Sequence, residues 1–175
     1  MFISVHELEL RKIGFESAFA PGALDFGDAQ LRQQTALEVT GSAELLAPID
    51  EIRVHGHIRG RLASICDRCL EPVLLPVDGD FDLVYMPAGM EGERTEEHAI
   101  QRDDTEVGFY NGAGIELGDV VLEQVLLWLP MHRLCREDCK GICQACGQNR
   151  NQTDCGCHPV PADERWDALK KLSGV

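Results

Sequence analysis

The sequence predicts an α+β fold: an antiparallel β-meander packed on a core helix, followed by a C-terminal cysteine-rich segment of zinc-ribbon type. Three observations lead there. Apolar and polar residues alternate through residues 35–85, which is strand periodicity. One apolar stretch, Val120 to Leu129, has helical length and a stop signal at Pro130. Six of the eight cysteines crowd between residues 135 and 157.

Residues 1–33 are mixed, with turn signals at Pro21-Gly22 and Phe26-Gly27-Asp28. The first predicted strand sets Leu37, Val39, Gly41, Ala43 and Leu45 on one face and Glu38, Thr40, Ser42 and Glu44 on the other. After a turn at residues 47–50, the second turns Ile52, Val54, Ile58 and Leu62 inward and Arg53, His55, His57, Arg59 and Arg61 outward. The third alternates Val77, Gly79, Phe81 and Leu83 against Asp78, Asp80 and Asp82. Three such strands form a meander with one wet face. Cys66-Asp67-Arg68-Cys69 falls at the hairpin tip between the second and third strands.

Residues 86–106 lose periodicity and are predicted as a charged, mobile loop. Val107–Tyr110 and Ile115–Leu117 read as short strands. Asp119 reads as the N-cap of a core helix from Val120 to Leu129, apolar almost all round. Residues 163–172 read as a capped amphipathic helix. The predicted organisation is a β-rich domain with its core helix over 1–130, then a metal-binding segment and terminal helix over 131–175.

Composition narrows the function classes. With 175 residues, 44% of them hydrophobic, the chain can enclose a core without metal or disulfides. Its net charge of −14 argues against a uniformly basic coat for nucleic acid or membrane. Val120 to Pro130 is interrupted by Glu123 and Gln124 and is too short to span a bilayer. Met1 to Glu7 shows no basic n-region or small-residue cleavage site, so a cytoplasmic location is expected.

In a reducing compartment, clustered cysteines read as metal ligands. Cys66-x₂-Cys69 and Cys143-x₂-Cys146 have the spacing that lets two thiolates hold one tetrahedral ion. Gly147 suits the positive φ that closes such a turn. The preferred partition puts Cys66, Cys69, Cys135 and Cys139 on one zinc and Cys143, Cys146, Cys155 and Cys157 on another, both structural because four thiolates leave no open position. A single C-terminal zinc with spare thiols, an iron–sulfur cluster and a redox dithiol at Cys66/Cys69 remain alternatives.

The row from Arg53 to Arg61 projects from one sheet face over about 27 Å. Arg53, Arg59 and Arg61 are candidate contacts to an RNA backbone. The rival reading is an ion-pair ladder, with Glu38 and Glu44 facing Arg59 and Arg53, and Asp78, Asp80 and Asp82 facing Arg59, His57 and His55. Arg61 has no acid opposite. No nucleophile, glycine-rich phosphate loop or HExxH pattern accompanies the histidines, so neither catalysis nor a small-molecule substrate is expected.

These residues together resemble the YceD family of large-ribosomal-subunit rRNA accumulation proteins. The resemblance rests on Cys66-Asp-Arg-Cys69-Leu-Glu-Pro72, the Ile115–Asp119 segment, and the helix ending Leu129-Pro130. Most specific is Leu134-Cys135-Arg-Glu-Asp-Cys139-Lys-Gly-Ile-Cys143-Gln-Ala-Cys146-Gly-Gln-Asn149, with Asn151 and Cys155-x-Cys157 beyond. The resemblance implies a bacterial cytoplasmic protein, also found in chloroplasts, that is needed for 23S rRNA accumulation and large-subunit biogenesis and lacks known enzymatic activity. Its implied partners are pre-rRNA or an assembly intermediate and a ribosomal protein. A rival function is an acidic, zinc-containing adaptor for a basic ribosomal protein, prompted by ten acids against two bases in residues 78–106. The resemblance supplies no catalytic residues.

Overall fold

A computed structural model describes residues 1–48, 50–88 and 107–157. The chain forms two compact units, Met1–Ser64 with Leu74–Met131, and Ile65–Val73 with His132–Val175. The second is discontinuous, taking in a loop from between two long strands. The predicted loop beyond residue 88 and the predicted helix at 163–172 lie outside the described residues.

In chain order the elements are β1 (Phe2–Ser4), α1 (Val5–Leu10), β2 (Ile13–Phe19), β3 (Arg32–Gln33), β4 (Leu37–Leu46) and β5 (Glu51–Ile65). Then come β6 (Pro72–Pro87), β7 (Val107–Tyr110), β8 (Gly114–Glu116) and α2 (Leu117–Trp128). The mixed α+β class is as expected, and antiparallel pairing dominates.

The meander is the centre of a larger sheet. Its order is β2-β4-β5-β6-β7, with β3 pairing β5 off that path. Alternation holds through β4, β5 and β6: Leu37, Val39, Ile52, Val54, Ile58 and Leu62 are fully buried. Each such side chain contributes about 1.5–3 kcal/mol on leaving water. Gly41 and Gly56 lie opposite each other in the β4–β5 register. The Phe15 and Phe81 rings fill the space above them, so a methyl group at Gly41 would meet Phe15 at 2.7 Å and one at Gly56 would meet Phe81 at 3.1 Å.

Two differences from the sequence reading concern the ends of the chain's β-rich part. The first 33 residues supply three strands and a short helix. Of these β2 joins the sheet edge, while β1 pairs with β8 in a separate two-stranded ribbon. The core helix begins at Leu117, so Asp119 sits in its first turn and Glu116 is the N-cap, without a side-chain capping bond. The Leu117 N–H donates instead to the Met1 carbonyl at 2.9 Å. A backbone partner just before β1 thus does what a cap would do.

The helix buries Leu117, Val120, Val121, Gln124 and Val125. Its last turn is open, with Leu126, Leu127 and Trp128 exposed. The Trp128 ring nevertheless closes over β6, where a methyl group on Gly79 would approach it to 3.1 Å.

Candidate metal centres

Two turns of the second unit share one hydrogen-bond pattern. In the first, Cys66 N–H donates to the Glu71 carbonyl (2.8 Å) and Leu70 N–H to the Cys66 carbonyl (2.9 Å). In the second, Cys143 N–H donates to the Gln148 carbonyl (2.8 Å) and Gly147 N–H to the Cys143 carbonyl (2.8 Å). The residue after the second cysteine takes positive φ in both, 62° at Leu70 and 74° at Gly147. Each turn presents its two thiols on one side and aims backbone amides at them.

These turns collect the other four cysteines. Sulfurs of Cys66, Cys69, Cys135 and Cys139 all lie within 4.8 Å of one another, and so do those of Cys143, Cys146, Cys155 and Cys157. All eight cysteines are free. In the first cluster Cys66 and Cys139 sulfurs are 3.8 Å apart and those of Cys69 and Cys135 3.6 Å. Those separations are too long for a disulfide. A tetrahedral ion with sulfurs at about 2.3 Å sets them about 3.8 Å apart. The residues therefore fit a four-thiolate metal site in each cluster.

The thiols are polarised within each group. Burial pushes the Cys66 thiol up, but amides of Cys135, Arg68 and Cys69 outweigh it and bring it down to about 6. The amides of Cys146 and Ala145 bring Cys143 down to about 6 as well. Cys135 goes the other way, to about 12, through desolvation and its neighbouring sulfurs. Cys157 also rises to about 12, from the sulfurs of Cys146 and Cys155. Four sulfurs this close cannot all ionise alone; a divalent cation at their centre removes the repulsion.

Asn151 braces the first group. Its Nδ2 donates to the Cys139 sulfur at 3.3 Å, while its Oδ1 accepts from Lys140 N–H (2.8 Å) and Arg136 (2.9 Å). Its own N–H donates to the Asn149 side chain at 2.9 Å. Asn149 and Gln152 both donate to Glu71, beside the first turn, at 3.1 and 2.9 Å. Arg68, inside the first turn, donates to the Cys139 carbonyl at 3.1 Å. Spacing alone assigned none of these supporting roles, because an asparagine twelve residues from a cysteine carries no local signal.

A family model described as "Large ribosomal RNA subunit accumulation protein YceD" matches residues 54–173. The chain belongs to the YceD family. A Mycobacterium tuberculosis protein described as uncharacterized is 31% identical over 126 residues, 70% of this chain and 56% of its own. A Mycobacterium bovis protein, also described as uncharacterized, gives the same values. The chloroplastic large ribosomal RNA subunit accumulation protein YCED homolog 1 of Zea mays is 24% identical over 178 residues, 89% of this chain and 58% of its own. The chain thus spans a little over half the length of these curated relatives. No solved structure matches it.

The YceD match takes in all eight cysteines and, on β5, Arg59 and Arg61, but not Arg53. The structure also separates those arginines. Glu38 and Glu44 stand opposite Arg59 and Arg53, as read from the sequence. The Asp82 carboxylate, read from the sequence as facing His55, is held by Arg53, whose Nε and guanidinium tip donate to it at 2.8 and 2.6 Å. His57 sits between Asp78 and Asp80, at 2.9 and 2.8 Å, and His55 pairs with the Ser42 hydroxyl at 3.0 Å.

The ladder stops there. Among the described residues neither Arg59 nor Arg61 has an ion pair, although Glu38 is across from Arg59. Arg32, on β3, adds a third exposed guanidinium. It pairs in register with Ala63, which shares the face of Arg59 and Arg61, and it too lacks an ion pair among the described residues. An open cleft of about 600 Å³ runs beside Arg59 and Arg61, with Glu38 and Asp78 on its wall.

Proposed function

We propose that this protein is a non-enzymatic factor in large ribosomal subunit biogenesis that supports 23S rRNA accumulation in the cytoplasm, with structural zinc in both cysteine clusters. The observation that carries this reading is the YceD family match across both four-thiol clusters. Zinc suits a closed tetrahedral thiolate set in which no position is left for substrate. The metals hold the second unit together; the first unit presents Arg59 and Arg61, with Arg32 beside them, to the phosphate backbone of pre-rRNA or an assembly intermediate. Arg53 contributes less, since its guanidinium is committed to Asp82.

Deleting the gene and following 23S rRNA together with sucrose-gradient sedimentation tests the reading. Reduced 23S rRNA and co-sedimentation with large-subunit precursors are expected. Unchanged 23S rRNA, with the protein confined to the top of the gradient, overturns it. A pull-down that keeps a basic ribosomal protein after RNase treatment, and shows no RNA crosslinks, favours an acidic protein adaptor instead.

A further inference from the structure

The first unit carries a groove of about 420 Å³ between β7, β8 and α2, and a second of about 400 Å³ shares Tyr85 and Glu123 with it. Large apolar side chains stand open along these walls: Phe2 is 47% exposed, Phe109 50% and Leu127 69%. Exposed apolar surface gathered in a concave place marks an interaction site more often than scattered apolar residues do.

The charge along the groove has one sign. Among the described lining residues there are carboxylates and no lysine, arginine or histidine. The outer acids already have partners: Asp82 with Arg53, Asp80 with His57, and Glu116 with the N-terminal amine at 3.5 Å. Asp119 and Glu123 stand one turn apart on the exposed side of α2. Among the described residues neither has a cation against it. Gln124 lines the second groove as a largely buried polar residue, 7% exposed.

We infer that this groove binds a basic, leucine- or phenylalanine-punctuated peptide segment of a protein partner. Apolar side chains of the peptide rest on Phe2, Phe109 and Leu127. Its lysines or arginines meet Asp119 and Glu123, where the Phe109 ring face can add a cation–π contact. Phosphate-bearing ligands are repelled by the same carboxylates. The inference does not depend on the RNA reading, which uses Arg59 and Arg61 on β5.

The test uses the full chain and a fluorescein-labelled decapeptide of alternating arginine and leucine. The controls are an arginine–glycine and a glutamate–leucine decapeptide and a labelled uridine decamer. Anisotropy is read at about 0.15 M salt, where screening shortens charge attraction to about 8 Å. Only the arginine–leucine peptide should bind appreciably, and F109S and E123Q should each weaken it about tenfold, as loss of an anchor does. D78N, outside the groove, should leave binding unchanged although it alters net charge equally. Amide shifts of the unmutated protein should move around Phe109 and Glu123, which keeps the result independent of variant folding. Equal binding of the arginine–glycine peptide, no effect of F109S, or shifts confined elsewhere would reduce the attraction to polycation adhesion and overturn the inference. Uridine decamer binding that F109S abolishes would overturn it in favour of a nucleic-acid site.

Discussion

Leu70 and Gly147 occupy the same place in two copies of one turn, each donating its N–H to the carbonyl of the turn's first cysteine with φ positive. Glycine meets that geometry without a Cβ penalty, whereas leucine holds it against about 1–2 kcal/mol of steric cost. Leu70 is more than half exposed, so its side chain returns little by burial.

Leu70→Gly should therefore stabilise the metal-loaded protein by up to about 1 kcal/mol, after allowing for glycine's larger unfolded-state entropy. Gly147→Leu should destabilise by about 1–2 kcal/mol. Denaturant unfolding of both variants, each with its metal content verified, checks the opposite signs.

Metal removal should act on the cysteine-rich unit. Purified protein should carry two zinc ions per chain by elemental mass spectrometry, with Cys66→Ser and Cys143→Ser each reducing that to about one. A strong chelator should loosen amide protection in residues 132–157, while the core around Val39, Val54 and Ile58 stays protected. Protection that is unchanged by chelation would show that the clusters do not bind structural metal.

Asn151→Ala removes the donor to Cys139 and frees the Arg136 and Lys140 partners. Competition with a chromophoric chelator should show metal affinity at the Cys66 cluster falling about 10- to 100-fold, as losing an outer-shell partner does. Asn151→Asp should not restore it, because a carboxylate cannot donate to sulfur.

For RNA, Arg59→Ala and Arg61→Ala should each lower the slope of log affinity against log salt by about 0.7–0.9. Arg53→Ala should change that slope little, since Asp82 already neutralises its guanidinium. Filter binding to a precursor fragment over a salt series checks this; equal effects at all three positions would contradict the division of roles.

His57 gives the sheet a pH dependence with a definite sign. The hydrogen bond to Asp80, with the charges of Asp80 and Asp78, raises its pKa above the usual value. The stabilisation is fully present below about pH 6.5. It is lost as pH rises through the raised folded value. Thermal melts across that window should show the loss, and His57→Gln should flatten it.

Periodicity made much of the first unit legible. The long strands β4, β5 and β6 alternate over enough residues for the inward row to be unambiguous. In β2 small outward residues, Gly14 and Ala18, and an inward Ser17 blur the contrast, so the pattern is present but weak. β1, β3 and β8 are two or three residues long and exist through pairing alone.

The two CxxC turns and their fitness to hold an ion follow from sequence, because turn geometry spans only a few neighbouring residues. Spacing also led to the same division into fours, Cys66, Cys69, Cys135 and Cys139 apart from Cys143, Cys146, Cys155 and Cys157, but not to which sulfurs approach most closely: Cys69 and Cys135 are 66 positions apart, yet their sulfurs lie 3.6 Å apart. The same holds for charge. Sequence determined which residues share the outward row of β5 and the large acidic excess. Only the tertiary structure decided that Arg53 is consumed by Asp82, that Arg32 joins Arg59 and Arg61, and that Phe109 borders Asp119 and Glu123. Local rules fix a side chain's direction, but its partners depend on which distant segment folding brings alongside.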